Sequence, residues 1–375
     1  MIFNEGNYNK HWDIKTLNEL GTFSRGISKH RPRNDTKLFE DGRYPFIQTG
    51  DIKSANLYLS HHNSEYGEFG LKQSKLWKTG TLCITIAANI AETAILSYPM
   101  CFPDSIVGFN AYKNKSSELF MYYVFEYIKN AIQSSASGSI QDNINIEYLT
   151  SLKFRIPNKK LQDKIARLLS SLDKKIENNN KVSEILEKQI HSVYMHYFVR
   201  KKSNGRLSDI LIENQKSKIY VNEVEGLSGD YPFFTSGSSI LEYNDYLVDN
   251  RNIYLNTGGN ADIKFYVGKT AYSTDTWCIS AKNDLEDYLF LLLKTIKNEL
   301  NIKYFQGTGL KHLQKNLLKD KKIYIPNKVE AKLFNQQAKP IMENISMNTQ
   351  ENKKLAKLRE WLLPLLMNGQ ATVSE

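Results

Sequence analysis

Tyr44-Pro45-Phe46-Ile47-Gln48-Thr49-Gly50 returns in altered form as Tyr231-Pro232-Phe233-Phe234-Thr235-Ser236-Gly237. Three further echoes follow in the same order: Ser137-Gly138-Ser139-Ile140 as Gly307-Thr308-Gly309-Leu310, Ile156-Pro157-Asn158 as Ile325-Pro326-Asn327, and Asn180-Lys181 as Asn352-Lys353. Each echo alone is weak. All of them in one order make the chain two copies of one unit, which decides the fold before any local assignment.

Each copy has two parts. The first is mixed: β-rich runs such as Thr81–Ile86 and Asn252–Leu255 sit between Gly, Asn and Pro. Glu118–Gln133 and Leu285–Asn298 carry apolar residues at helical spacing. A strand-like run ends each mixed part, at Pro157 or Pro326.

The second part is a long helix, expected over Leu161–Arg200 and Val329–Asn368. Ile165, Leu169, Leu172, Ile176, Asn179, Ser183, Leu186, Ile190, Val193 and Tyr197 alternate steps of four and three, the seam of a coiled coil. Phe334, Ala338, Ile341, Ile345, Asn348, Asn352 and Leu355 repeat the pattern, after which the phase is expected to slip to Leu358, Leu362 and Leu365. Pro340 is expected to bend this helix or delay its start. Under the repeat Asn179 matches Asn348, and Ser183 matches Asn352. Polar seam residues fix register, so antiparallel pairing of the two helices is expected, with Leu172, Ile176, Asn179 and Leu186 on one side and Ile345, Asn348, Asn352 and Leu355 on the other. Two separate amphipathic helices, each packed on its own domain, are the alternative.

The pattern therefore predicts an α+β protein. Two mixed α/β domains, at 1–157 and 201–326, alternate with helical spacers at 158–200 and 327–375, as a pseudo-two-fold internal repeat.

The length, 375 residues, and the 41% hydrophobic content suit two or three packed domains and exclude global disorder. Fifty Lys and Arg stand against 40 Asp and Glu, a net charge of +10. Such a balance suits a polyanionic partner, although the Lys and Asn usage of an AT-rich genome gives the same sign. Three cysteines without a CxxC pair argue against a disulfide scaffold. The opening Met1–Lys10 shows no apolar signal segment, and the most apolar window, Thr81–Leu96, is broken by Asn89 and Glu92. A cytoplasmic, non-membrane protein is expected.

Catalytic patterns are missing from the sequence. There is no Asn/Asp-Pro-Pro-aromatic motif for adenine methylation and no Walker loop. Thr257-Gly258-Gly259-Asn260 lacks dinucleotide-fingerprint spacing and reads as a loop, while Pro103-Asp104 has no Glu-x-Lys partner of a nuclease strand. His61 and His62 point to opposite faces of a strand, and His191 and His196 do not share a helix face, so no metal site is expected. No catalytic residue is assigned.

Features that suit DNA are present instead. Arg25, Lys29, Arg31, Arg33 and Lys37 crowd into one Gly- and Pro-containing stretch against the single acid Asp35. A mobile basic loop there suits phosphate contacts, and arginine also reads guanine; a solvated surface loop is the alternative. Gln48 and Thr49, with Thr235, Ser236 and Ser238, lie where a strand gives way to a Gly turn, and Asn256, Thr257 and Asn260 lie in a similar place. Short amides and hydroxyls at such positions either read base edges or close turns. Gly138, Gln141, Asn143 and Asn145, matched by Gly307, Lys311 and Gln314, form a polar stretch that reads first as a turn. From the residues alone, a DNA-binding regulator acting by itself and a coiled-coil scaffold without DNA remain open.

In order and duplication, these segments resemble the DNA-specificity subunit of type I restriction–modification systems. The resemblance rests on Tyr44–Ile52, on Ile-Pro-Asn before each helix, on Trp12-Asp13-Ile14-Lys15-Thr16-Leu17-Asn18-Glu19-Leu20-Gly21, and on Lys354–Leu363. It implies two target recognition domains, each reading half of a bipartite, asymmetric site in double-stranded DNA. The helices would act as a ruler and dock two methyltransferase subunits, which carry S-adenosylmethionine; this chain would carry no cofactor. Motor-nuclease restriction subunits would join for cleavage, and the chain itself would not be an enzyme. The family usually has Pro-Leu-Pro and then Glu-Gln before its helices. Here Ile156-Pro157-Asn158 precedes Leu161-Gln162-Asp163, so the resemblance does not fix the helix starts.

Overall fold

A computed structural model describes residues 4, 6–137 and 144–373. The chain packs as two units, residues 1–177 with 352–375, and residues 178–351.

In the first unit, Leu82–Thr85 and Thr93–Leu96 are buried along their whole length, as strands covered on both faces must be. They belong to a five-stranded sheet in the order Gly21–Arg25, Ile106–Ala111, Leu82–Thr85, Thr93–Leu96, Tyr58–Leu59. A four-stranded sheet contains Tyr44–Phe46, antiparallel to Ser64–Tyr66 and parallel to Met100–Cys101. Helix Glu118–Ser137 covers the large sheet, and Phe109, Phe125, Phe154, Leu169 and Leu366 share its core.

The second unit repeats this plan. Its main sheet runs Leu211–Glu213, Thr276–Ala281, Arg251–Asn256, Ile263–Val267. Tyr231–Phe234 is again antiparallel to the next strand, Ile240–Tyr243, and parallel to a later one, Ala271–Tyr272. The Tyr-Pro-Phe echo is thus an inner strand of the smaller sheet in each copy. Helix Glu286–Thr295 takes the place of Glu118–Ser137.

Each mixed domain opens and closes on one two-stranded sheet. Asp13–Thr16 pairs antiparallel with Lys153–Ile156, and Gly205–Arg206 with Lys322–Ile323. The proline after each closing strand hands over to a capping asparagine. Asn158 Oδ1 accepts from Leu161 N at 3.0 Å, and Asn327 Oδ1 accepts from Val329 N and Glu330 N at 2.9 and 3.0 Å. In the first copy Ile-Pro-Asn is therefore a strand end joined to a helix start. In the second the closing strand stops at Ile323, short of the expected Pro326, and the Asn204 side chain holds the Ile325 backbone before the same Asn-capped helix start.

The two long helices, Lys159–Phe198 and Lys328–Met367, have 40 residues each. Pro340 lies within the second without delaying its start, which Asn327 fixes. In the second unit, contacts that climb one helix descend the other. Asn179 Nδ2 donates to Glu351 Oε2 at 2.7 Å, Asn348 Nδ2 donates to Ser183 Oγ at 3.1 Å, and the Phe198 and Phe334 rings lie 5.2 Å apart. The helices are antiparallel, with Asn179 against Glu351 and Ser183 against Asn348. Leu172, Ile176, Leu186, Ile345, Asn348, Asn352 and Leu355 are half-buried along the seam, and Asn179 is buried.

The expected phase slip after Leu355 does not occur. Leu358 is 41% exposed, whereas Arg359 turns inward and donates to Asp173 Oδ1 at 2.6 Å in the first unit. The ion pair lets a charged residue hold the seam position, so steps of four and three continue through Leu362 to buried Leu366.

Buried ions also tie each mixed domain to the helices. Asp173 Oδ2 accepts from Tyr123 of the domain helix at 2.5 Å. In the second unit Arg251 donates from Nε and Nη2 to the two oxygens of Asp287, both at 3.0 Å, and from Nη1 to Glu343 Oε1 of the long helix at 2.7 Å. Cys83, Cys101 and Cys278 are free and buried, and burial raises all three thiols, Cys101 to about 11 and Cys278 to about 12. Among the described residues, no helix is long and apolar enough to cross a membrane.

Candidate nucleic-acid interface

In the first unit, strand register gathers the polar segments. Arg25 lies opposite Val107, and Thr85 opposite Ile106, so both finish at one end of the large sheet. The basic segment leaves from that end. Its first residue has to be Gly26, because a Cβ there would sit 2.3 Å from the carbonyl oxygens of Phe102 and Pro103.

Arg25, Lys29, Arg31 and Arg33 are all exposed, but their loop is braced, not loose. Lys29 N donates to Gln73 O at 3.0 Å. Arg33 Nη2 donates to Asp104 Oδ1 at 2.7 Å, and Arg31 Nη2 stands 3.9 Å from Asp104 Oδ2. Arg31 also donates to the carbonyls of Ser28 and His30 at 2.6 and 2.8 Å. His30 bonds Asp35 at 2.7 Å; that bond, then the Lys37 amide, holds the Asp35 carboxyl below its ordinary range. In the loop that the sequence suggested as a mobile one, Asp104, an acid remote in sequence, lies against two of the arginines.

Gln48 and Thr49 begin the short helix Thr49–Ser54. Asp51 accepts from Gln48 N at 2.7 Å and from Asn63 Nδ2 at 3.1 Å, and Gln48 is exposed. Lys53 Nζ donates to Asn89 Oδ1 at 3.3 Å, which sets this helix against the 86–92 loop. Thr85 Oγ1 accepts from Glu92 N at 2.9 Å and also bonds Asn89 O, gathering that loop at the sheet end. Ala88 and Ala91 are held there at φ of +63° and +61°, a costly conformation for alanine. Nothing in the sequence singled out this loop. Gly138, Gln141 and Asn143 lie outside the described residues, and Asn145 caps the helix Ile146–Ser151.

In the second unit Asn256 occupies the sheet position of Thr85, opposite Thr276. It is 6% exposed. Its amide donates to the carbonyls of Gly258 and Asn260 at 2.6 and 2.5 Å and accepts from Asp262 N at 2.7 Å. Thr235 is 5% exposed and donates to Ser239 O at 2.8 Å, and Thr257 Oγ1 donates to Asp275 O at 3.0 Å. The polar atoms of Thr235, Asn256 and Thr257 thus close loops instead of facing outward. Short polar side chains beside a turn satisfy local backbone first, which the sequence could not distinguish from base reading. Ser238 and Asn260 are exposed and Ser236 is half-buried.

A hairpin joins this end. Phe305–Gln306 pairs with His312–Leu313, and Gly259 N and Leu313 N bond Lys311 O and Thr257 O, both at 2.9 Å. Lys311 and His312 are exposed on it. Each unit therefore presents exposed amides, hydroxyls and cations on several loops at one sheet end, an arrangement that can grip phosphates and offer side chains to base edges. Among the described residues no three His, Cys, Asp or Glu side chains converge to hold a metal.

The salt dependence of duplex binding checks this surface. Arg31→Gln and Arg33→Gln are each expected to weaken binding and lower the slope of log K against log salt by about one. Asp104→Asn, which removes their shared counter-charge, is expected to strengthen binding. Unchanged slopes in the arginine variants would remove this loop from the interface.

The family described as "Type I restriction modification DNA specificity domain" matches residues 9–188 and 201–360. The type I restriction enzyme MjaIX specificity subunit of Methanocaldococcus jannaschii is 24% identical over 99% of this chain and 96% of its own length. The HindI specificity subunit of Haemophilus influenzae is 26% identical over 48% of this chain and 40% of its own. The crystal structure of the type I restriction–modification S subunit from M. genitalium shares the fold with a TM-score of 0.66, at 16% identity, over 98% of this chain and 99% of that one. With two domain matches covering most of its length, the chain belongs to the type I restriction–modification DNA specificity family.

Proposed function

We propose that this chain is the DNA-reading subunit of a type I complex and has no catalytic centre of its own. Its two mixed domains each read one half of a bipartite site in double-stranded DNA, and the unread bases between the halves are set by the long helices. Two methyltransferase subunits dock on it and carry S-adenosylmethionine, and motor-nuclease subunits join for restriction. The observation that carries this reading is the repeat in three dimensions: two domains of one plan, each followed by Ile-Pro-Asn and a 40-residue helix.

The test is a matched insertion. Because the helices are antiparallel, four residues added to one alone would break their register. Four helix-forming residues after Glu177 and four after Lys354 keep the Asp173–Arg359 and Asn179–Glu351 contacts on either side. Four residues lengthen a helix by about 6 Å and rotate it by about 40° net. One base pair rises about 3.4 Å and turns about 34–36°. Methylation mapping of cells carrying the variant system is expected to show both half-sites kept and the spacer longer by about one or two pairs. An unchanged spacer at full activity would end the ruler model.

A further inference from the structure

Leu310 is 66% exposed at the tip of the hairpin formed by Phe305–Gln306 and His312–Leu313. Gly307 holds φ at +151°, and a Cβ there would meet Leu310 O at 2.6 Å, so the tip requires glycine. Gly309 has open space around it. Leu310 Cδ2 reaches to 3.7 Å from the Cβ position of Gly258, while Lys311 and His312 beside it are exposed. The hairpin base is fastened to the 257–260 loop by the backbone bonds of Gly259 and Leu313. A large aliphatic side chain is thus carried outward on a rigid support, with basic neighbours, at the sheet end where the polar loops gather.

A single exposed leucine is ordinary. The repeat makes this one different. The first copy aligns Ser137-Gly138-Ser139-Ile140-Gln141 with Gly307-Thr308-Gly309-Leu310-Lys311, placing another large aliphatic at the same step. Ile140 lies outside the described residues and enters by sequence alone. Loop tips ordinarily favour small polar residues, yet this hairpin carries an aliphatic beside its glycines, and the matching step of the first copy's sequence holds one as well.

We propose that Leu310 is a wedge that enters a base step of duplex DNA, with Lys311 holding the flanking phosphate. The inference rests on the DNA-reading function above and deepens it. Apolar side chains inserted between stacked bases partly unstack them and bend the duplex, and a sequence that unstacks easily is then preferred without any hydrogen bond to a base. Specificity from this hairpin would come from the deformability of a step, not from base edges.

The experiment uses the full-length chain and a duplex bearing the site mapped by methylation sequencing, with 2-aminopurine placed in turn at each step. Wild type should brighten the probe at one step. Leu310→Ala should abolish that signal and lose about tenfold in affinity, the scale for a buried leucine, with an unchanged salt slope. Leu310→Met should retain both. Lys311→Gln should keep the brightening while its salt slope falls by about one. Wild-type affinity and undiminished brightening in Leu310→Ala would overturn the wedge and leave DNA reading intact. A wild-type chain that binds no duplex would overturn both.

Discussion

Arg251→Met is expected to cost the second unit about 3–5 kcal/mol, the usual result of stranding one member of a buried ion pair. Asp287 is 1% exposed, and Arg251 supplies both of the hydrogen bonds its carboxylate receives from a side chain. Methionine fills similar volume but leaves the carboxylate without its side-chain hydrogen-bond donors, with only the charge of Lys339 nearby. Lysine would not rescue the site, because one ammonium cannot match two carboxylate oxygens and Glu343 in a single fork. The double variant Arg251→Met/Asp287→Leu should recover most of the loss.

The pH dependence has a definite sign. Burial pushes the Asp287 carboxyl up, and the Arg251 guanidinium pulls it back. A carboxyl raised in the folded state favours folding at low pH, and that contribution is lost as pH rises through the folded pKa. Removing Arg251 enlarges the upward shift, so the variant should be less destabilised at about pH 5 than at about pH 8. Urea unfolding at the two pH values measures both effects. A loss below about 1 kcal/mol with no pH trend would mean that the pair is dispensable.

Exchanging residues 1–157 for the corresponding domain of another family member is expected to replace one half-site completely and leave the other untouched. The cut suits the topology. Asp13–Thr16 and its partner Lys153–Ile156 travel together, so no sheet is split. The cut is not free of cost, because Tyr123 on the exchanged piece bonds Asp173 on the retained helix. Donors with a hydroxyl at that place should give the best-folded hybrids. Methylation mapping of the hybrid decides the matter, and a change in both half-sites would rule out independent reading.

The duplicated Ile-Pro-Asn and the four-three seam made the architecture legible, because strand ends, caps and coiled-coil periods are local signals. Helix boundaries were displaced by one or two residues, since the capping roles of Asn158 and Asn327 show only in the bonds they make. The Arg359 seam position was missed because a hydrophobic pattern passes over a charge whose partner, Asp173, lies far away in sequence. The polar loop residues were harder still. Thr235 and Asn256 look like Ser238 and Asn260 in a sequence, yet the first two are buried in their own turns. Whether a short polar side chain faces inward or outward depends on tertiary packing that no local pattern encodes.

The three buried thiols give each unit its own chemical clock. Cys83 and Cys101 lie in the first unit and Cys278 in the second, with no disulfide to restrain them. A sulfur that is both shielded and held as a thiol is alkylated slowly until its surroundings open. Labelling rates for Cys278 and for the other two therefore count opening events in one unit at a time. A ligand that occupies only one domain would slow one clock and leave the other running, which distinguishes engagement of a single half-site from engagement of both without any label being introduced.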